Sequence, residues 1–151
     1  GALSVTSVVT YDRAADIAGE NPWKTSIKDA ATGLFTGDIT AVSAGVAYFV
    51  TADASATAKV FIADATATLP PTIAIRAGWN AVGYWTPADA ATLDFDAYLS
   101  SITWSVAYSF DPTPGAGWTV NRPDGNLAAG TTAAKGLGYL IYATKDGTLT
   151  P

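Results

Sequence analysis

The sequence contains no cysteine, no histidine and no methionine. Without cysteine there is no disulfide and no thiolate. Without histidine there is no Ser–His or Cys–His nucleophile pair, and no ordinary zinc or transition-metal site. Most enzyme chemistry is excluded on these grounds. Charge is also scarce: 14% of residues are Asp, Glu, Lys or Arg, and 13 acidic against 8 basic residues give a net charge of −5. The basic residues (Arg13, Lys24, Lys28, Lys59, Arg76, Arg122, Lys135, Lys145) are scattered singly. A phosphate backbone or an anionic membrane surface needs them clustered. No apolar run reaches the length of a membrane-spanning helix, no signal peptide is recognisable, and none of Asn21, Asn80, Asn121 and Asn126 sits in a glycosylation sequon. The expectation is a chain that is not an enzyme, binds no nucleic acid, does not insert into a membrane and carries no cofactor and no metal.

What is present is apolar and hydroxyl-rich. The 151 residues suffice for one ordinary domain or two small fused units. Hydrophobic residues make up 49%, and mean hydropathy is +0.22, which excludes an intrinsically disordered chain. Alanine (30) and threonine (21) supply a third of the residues. Low charge with abundant Thr, Ala and Gly suits an extracellular protein, and the absence of cysteine is compatible with that setting.

Alternation dominates the pattern. In LSVTSVVTY (3–11), Leu3, Val5, Val9 and Tyr11 share one parity, and in WSVAYSF (104–110), Trp104, Val106, Tyr108 and Phe110 do the same. Runs 46–51, 58–63, 73–76, 80–85, 118–120 and 138–143 are also predicted strands, separated by Gly, Pro, Asn and Asp. One segment has helical spacing: Phe95, Tyr98, Leu99 and Ile102 in 92–102 fall at i, i+3, i+4 and i+7, with Asp94 or Thr92 as the cap. The fold class is therefore all-β, with one short helix near 93–102.

The sequence also repeats itself. GVAYFVTA (45–52) matches GLGYLIYA (136–143) at an offset of 91, Tyr11-Asp12 matches Phe110-Asp111 at 99, and Trp23 matches Trp118 at 95. This predicts two diverged copies of a small, sandwich-like antiparallel β unit, 1–72 and 73–151, packed as one compact body and joined near Leu69-Pro70-Pro71. Copy two opens with RAGWNAVGYW and the helix; copy one has neither, so it lacks a first strand. The gap has three resolutions: pairing from copy two, a chain continuing before Gly1, or a strand donated by a neighbouring subunit. The segment carrying Leu3, Val5, Val9 and Tyr11 is the candidate donor or edge strand.

Taken together, GWNAVGYW (78–85), WSVAYSFD (104–111), PTPGAGW (112–118), GLGYLIYA (136–143) and the ending KDGTLTP resemble the Gly-Trp-Asn / Gly-Tyr domain at the C-termini of large secreted and cell-surface proteins of bacteria and some archaea. The match covers 73–151 well and the first half weakly, and it departs at Leu140, where that family usually has Trp. The resemblance implies a β architecture and an extracellular surface location. It implies no catalytic residues.

Remaining chemistry is thin. Asp94 and Asp96, two apart on a predicted helix, point away from each other and suit capping. Calcium candidates at Asp111, Asp124-Gly125-Asn126 and Asp146-Gly147 lack the spacing of a known loop and are the residues turns require. Trp23, Trp85 and Trp118 adjoin Pro or Gly turns and are candidates for stacking on a polysaccharide, whereas Trp104 has the phase of a core residue. Two functions are expected. One is a non-enzymatic extracellular structural protein that assembles with copies of itself or another surface protein, as a filament or layer subunit, by strand addition. The alternative is a carbohydrate-binding or adhesive module.

Overall fold

The computed structural model describes residues 5–43, 45–53, 72–84, 92–111, 115–123, 132–134 and 137–150. In chain order the elements are β1 (Val5–Tyr11), α1 (Arg13–Ile17), β2 (Trp23–Lys28), β3 (Phe35–Gly37), β4 (Phe49–Ala52), β5 (Ile73–Ile75), β6 (Gly78–Gly83), β7 (Thr92–Asp94), α2 (Phe95–Tyr98), β8 (Trp104–Asp111), β9 (Gly117–Asn121), β10 (Thr132–Ala134), β11 (Gly138–Ala143) and β12 (Gly147–Leu149). The chain is mostly antiparallel β and sandwich-like. An N-terminal sheet has the order β3-β2-β1-β4, a C-terminal sheet the order β6-β11-β8-β9, and β10-β7 and β12-β5 form two-stranded ribbons. The predicted strand at 58–63 and the 69–71 junction lie outside the described residues.

The two sheets share a register. Val8 is flanked by Val50 and Ser26, and Ala107 by Ile141 and Asn121. Val9 is flanked by Phe49 and Thr25, and Tyr108 by Leu140 and Val120. Tyr11 faces Trp23 as Phe110 faces Trp118. Every one of these pairs corresponds at the sequence offsets of 99, 91 and 95.

Both central strands carry a bulge, and it corrects the predicted parity. Opposite β4, the register passes from Val5 to Ser7 and skips Thr6; opposite β11, it passes from Trp104 to Val106 and skips Ser105. An extra residue turns everything beyond it to the other face. Trp104 therefore does not share a face with Val106, Tyr108 and Phe110. It turns inward with the fully buried Ala107, while Phe110 is exposed. Val5 is separated from Val9 and Tyr11 in the same way.

The core lies on one face of the C-terminal sheet. Val82, Ala107, Tyr139, Ile141 and Ala143 pack there against Phe95, Tyr98, Leu99 and Trp104, with Ile75 and Leu149 from the β12-β5 ribbon. The rings of Phe95 and Tyr139 meet edge-on at 4.9 Å between centroids, and those of Phe95 and Trp104 at 5.6 Å. The predicted helix is shorter than its periodicity suggests. It spans 95–98, and Asp94 caps it by accepting from the Ala97 N–H. A second short helix, α1, was not expected. Asp12 caps it by accepting from the N–H groups of Ala14 and Ala15, a signal present in the sequence as Asp12 directly before Arg13-Ala14-Ala15.

Candidate functional site

Three local structures join the halves and shape the surface between them. The first is the corner before β6. Gly78 has φ of 102°, and a Cβ there would lie 2.6 Å from the Arg13 guanidinium. Asn80, buried, accepts from the Arg76 N–H at 3.1 Å and donates to the carbonyls of Arg76 and Gly78 at 2.7 and 2.9 Å. Asp146 accepts from the Ala77 N–H and from Arg76, and these two hydrogen bonds, the backbone one first, hold its carboxyl below the ordinary value. Arg13 of α1 donates to the Ala77 carbonyl and pairs with Asp16, which seats α1 on this corner. The Gly and Asn of Gly-Trp-Asn thus build a turn, and its Trp79 is left to face outward.

The second is a patch made of glycine. Gly83 and Gly138 lie opposite each other in β6 and β11. The segment leading into β4 rests on them. Val46 bridges Val82, the Ala47 N–H donates to the Ala81 carbonyl, and the Gly83 N–H donates to the Gly45 carbonyl. A Cβ on Gly138 would come within 2.6 Å of the Ala47 Cβ, and one on Gly83 within 3.0 Å of the Val46 carbonyl oxygen. On its other side the segment is held by Thr10, whose hydroxyl donates to the Ala47 carbonyl at 2.7 Å. Beside the patch, burial raises the Tyr139 phenol above its ordinary pKa, and its oxygen accepts from the Ala134 N–H.

The third is an aromatic cleft. Alternation puts Tyr11, Trp23 and Phe49 on one face of the N-terminal sheet, and Trp79, Tyr108, Trp118 and Leu140 on the non-core face of the C-terminal sheet. These two faces meet at Phe49 and Trp118, with ring centroids 5.6 Å apart. Beside that contact is a cleft of about 620 Å³ lined by Tyr11, Trp23, Trp79, Tyr108, Trp118 and Leu140. Tyr11 meets Trp23 edge-on at 5.1 Å, and Trp79 leans on Tyr108 at 5.6 Å and on Tyr142 at 5.1 Å.

The opposite face of the N-terminal sheet carries Val8, Thr10, Lys24, Ser26, Lys28, Phe35 and Val50. Val50 is 54% exposed, whereas Ile141, its counterpart in register, is 0% exposed. Phe35 is exposed as well.

The predicted site residues fall as follows. Val5, Val9 and Tyr11 lie in β1, which is paired with β2 on one side and β4 on the other. The segment is an interior strand, not an edge or a free donor, because its backbone pairs with a strand on each side. Leu3 and Trp85 lie outside the described residues. Trp23 and Trp118, far apart in sequence, line the same cleft; their cleft partners Trp79, Tyr108 and Leu140 were not predicted as site residues. Trp79 and Leu140 face outward by plain alternation with the buried Asn80 and Ile141, whereas the outward parity of Tyr108 comes from the Ser105 bulge, which leaves no mark in the alternation itself. Among the calcium candidates, Asp146 is engaged by Ala77 and Arg76, and the described residues hold no cluster of acidic side chains suited to a metal. No helix of the described residues is long and apolar enough to cross a membrane. Comparison of the chain with protein-family models, with curated proteins and with solved structures finds no match.

Proposed function

We propose that this chain is a non-enzymatic extracellular structural protein that acts by assembling with copies of itself, through the exposed β4 edge of its N-terminal sheet around Val50. One observation carries the reading: the two sheets share a register and both bury the matching Ser26 and Asn121, but at the β4 edge the N-terminal sheet leaves bare what the other buries, Val50 at 54% exposure against Ile141 at 0%. The shared register, bulge included, supports treating the halves as two copies of one β unit. On that view β6 and α2 supply the edge and cover of the second copy, and the first copy takes its cover from a neighbour. The C-terminal half of the chain supplies part of the missing edge, through the Val46–Val82 bridge. Beyond it, Phe49–Ala52 contains no charged residue and no proline, the features that normally protect an edge strand.

A second copy is the favoured occupant on grounds of charge. Lys24 and Lys28 sit on the same face as Val50, and the chain as a whole carries 13 acidic residues. The extracellular location rests on the low charge, the hydroxyl-rich composition and the resemblance to cell-surface domains. The test is sedimentation velocity with negative-stain electron microscopy across a range of concentrations. Concentration-dependent oligomers or filaments are expected, and Val50→Lys dissociates them without unfolding the chain. A parent chain that stays monomeric at every concentration overturns the reading, as does Val50→Lys assembling like the parent.

A further inference from the structure

We propose that the aromatic cleft between the sheets is a binding site for a neutral saccharide chain, a function separate from assembly. Its volume, about 620 Å³, lies inside the range of small-ligand sites. Three properties of the six described lining residues select the ligand.

The first is charge. Tyr11, Trp23, Trp79, Tyr108, Trp118 and Leu140 bring no formal charge to the cleft, on a chain whose net charge is −5. An acidic polysaccharide or a phosphate finds no counter-charge among the described lining residues. A quaternary ammonium finds ring faces but no carboxylate among the lining residues.

The second is exposure. Trp23 is 43% and Trp118 53% exposed, although each already touches another ring. Large aromatic surface left facing solvent on opposing walls is a feature of binding sites rather than of cores.

The third is hydrogen bonding. The hydroxyls of Tyr11 and Tyr108 and the indole N–H groups of Trp23, Trp79 and Trp118 make no hydrogen bond among the described residues. Tyr and Trp combine an apolar body with a polar tip. A pyranose ring suits such side chains, with C–H faces to stack on the rings and hydroxyls left to water or to these donors at the rim.

The experiment is native affinity electrophoresis of the full chain in gels containing soluble β-glucan, xylan or galactomannan, with polygalacturonate as the charged arm and choline as competitor. At least one neutral polymer is expected to retard the protein. Trp23→Ala and Trp118→Ala each weaken the retardation up to about tenfold, the loss of one stacked ring. Trp23→Phe and Trp118→Phe, which keep a ring and so guard against a folding defect, retain most of it, and circular dichroism checks that every variant is folded. The proposal is overturned if no neutral polymer retards the chain, if polygalacturonate retards it equally, if choline abolishes retardation, or if the folded Trp23→Ala/Trp118→Ala double variant still binds.

Discussion

Val50 and Ile141 stand at corresponding places in two sheets, each beside a residue of the central strand, Val8 in one and Ala107 in the other. Their surroundings differ completely. Ile141 lies under Phe95, Tyr98 and Leu99, which the chain between β6 and β8 brings across the sheet. Among the described residues no helix lies over Val50. Hydrogen-bond register and side-chain burial are thus set by different parts of the sequence: the first by strands that match, the second by what the chain lays across them.

The largest expected effect comes from truncating both positions. Ile141→Ala removes fully buried methyl and methylene groups and is expected to cost about 2–5 kcal/mol. Val50→Ala at the exposed β4 edge is expected to stay within about 0.5 kcal/mol. Urea denaturation at a concentration that keeps the chain monomeric measures both. Equal losses would mean that Val50 is covered as Ile141 is.

The next effect tests how the halves are joined. Gly138→Ala puts a methyl group into the Ala47 side chain, 2.6 Å from its Cβ and 3.4 Å from its Cα. Overpacking of this kind costs about 1–3 kcal/mol. Ala47→Gly in the same chain restores part of the loss, and a double-mutant cycle reads the coupling. Independent losses from the two changes would show that the glycine patch does not hold the segment leading into β4.

A smaller pair concerns two buried polar residues at matching places. Ser26 is satisfied: its hydroxyl donates to the Ile39 carbonyl and accepts from the Ile39 N–H, both at 2.9 Å. Asn121 is fully buried, and neither its amide nitrogen nor its oxygen has a hydrogen-bond partner among the described residues. Ser26→Ala is therefore expected to destabilise by about 1 kcal/mol, whereas Asn121→Leu, close in size and free of the desolvation cost, stabilises by about 1 kcal/mol. Thermal unfolding followed by circular dichroism distinguishes the signs. A destabilised Asn121→Leu would reveal a polar partner for that side chain.

Much of the architecture is legible in the residues. The run 138–143 is β11 to the residue, the capping role of Asp94 follows from its place before the Phe95/Tyr98/Leu99 stripe, and the three sequence offsets coincide with the register. The site was less legible, for a physical reason. Which wall a strand residue joins depends on counting by twos, and one skipped residue at Ser105 sends Tyr108 and Phe110 to the face opposite Trp104. Neither Thr6 nor Ser105 differs in type from an ordinary strand residue, so the bulges are invisible until the partner strand is in place. β2, β3, β7, β10 and β12 were not among the predicted strands: the last four are only three residues long, and in β2 Trp23 and Ile27 are the only large apolar residues among Lys, Thr and Ser. The cleft itself needs Trp23 and Trp118 to converge from two sheets, and no local pattern encodes that.

The smallest effect separates a long-range tie in one half from a local one in the other. Asp146 joins the Arg76–Ala77 corner to the strand that follows it, β12. Asp29 closes a turn of its own, held low first by the Thr32 N–H, then by the Thr32 hydroxyl and the Ala31 N–H. Both carboxyls sit below their ordinary value in the folded chain and return to about 3.9 when it unfolds. The native state therefore binds these protons more weakly than the unfolded chain does. The stability they contribute is full above about pH 4 and is lost as pH falls through the lowered native values. Both groups face solvent, so the contributions are small, and salt weakens the Arg76 part further. Asp146→Asn should flatten the acid limb of global unfolding, because the bond it weakens spans the β12-β5 ribbon. Asp29→Asn should change only amide exchange within 29–34 and leave that limb intact. If the two substitutions act alike on global stability, the N-terminal turn is coupled to the core as tightly as the C-terminal corner is, and the contrast in cover between the halves does not extend to their cooperativity.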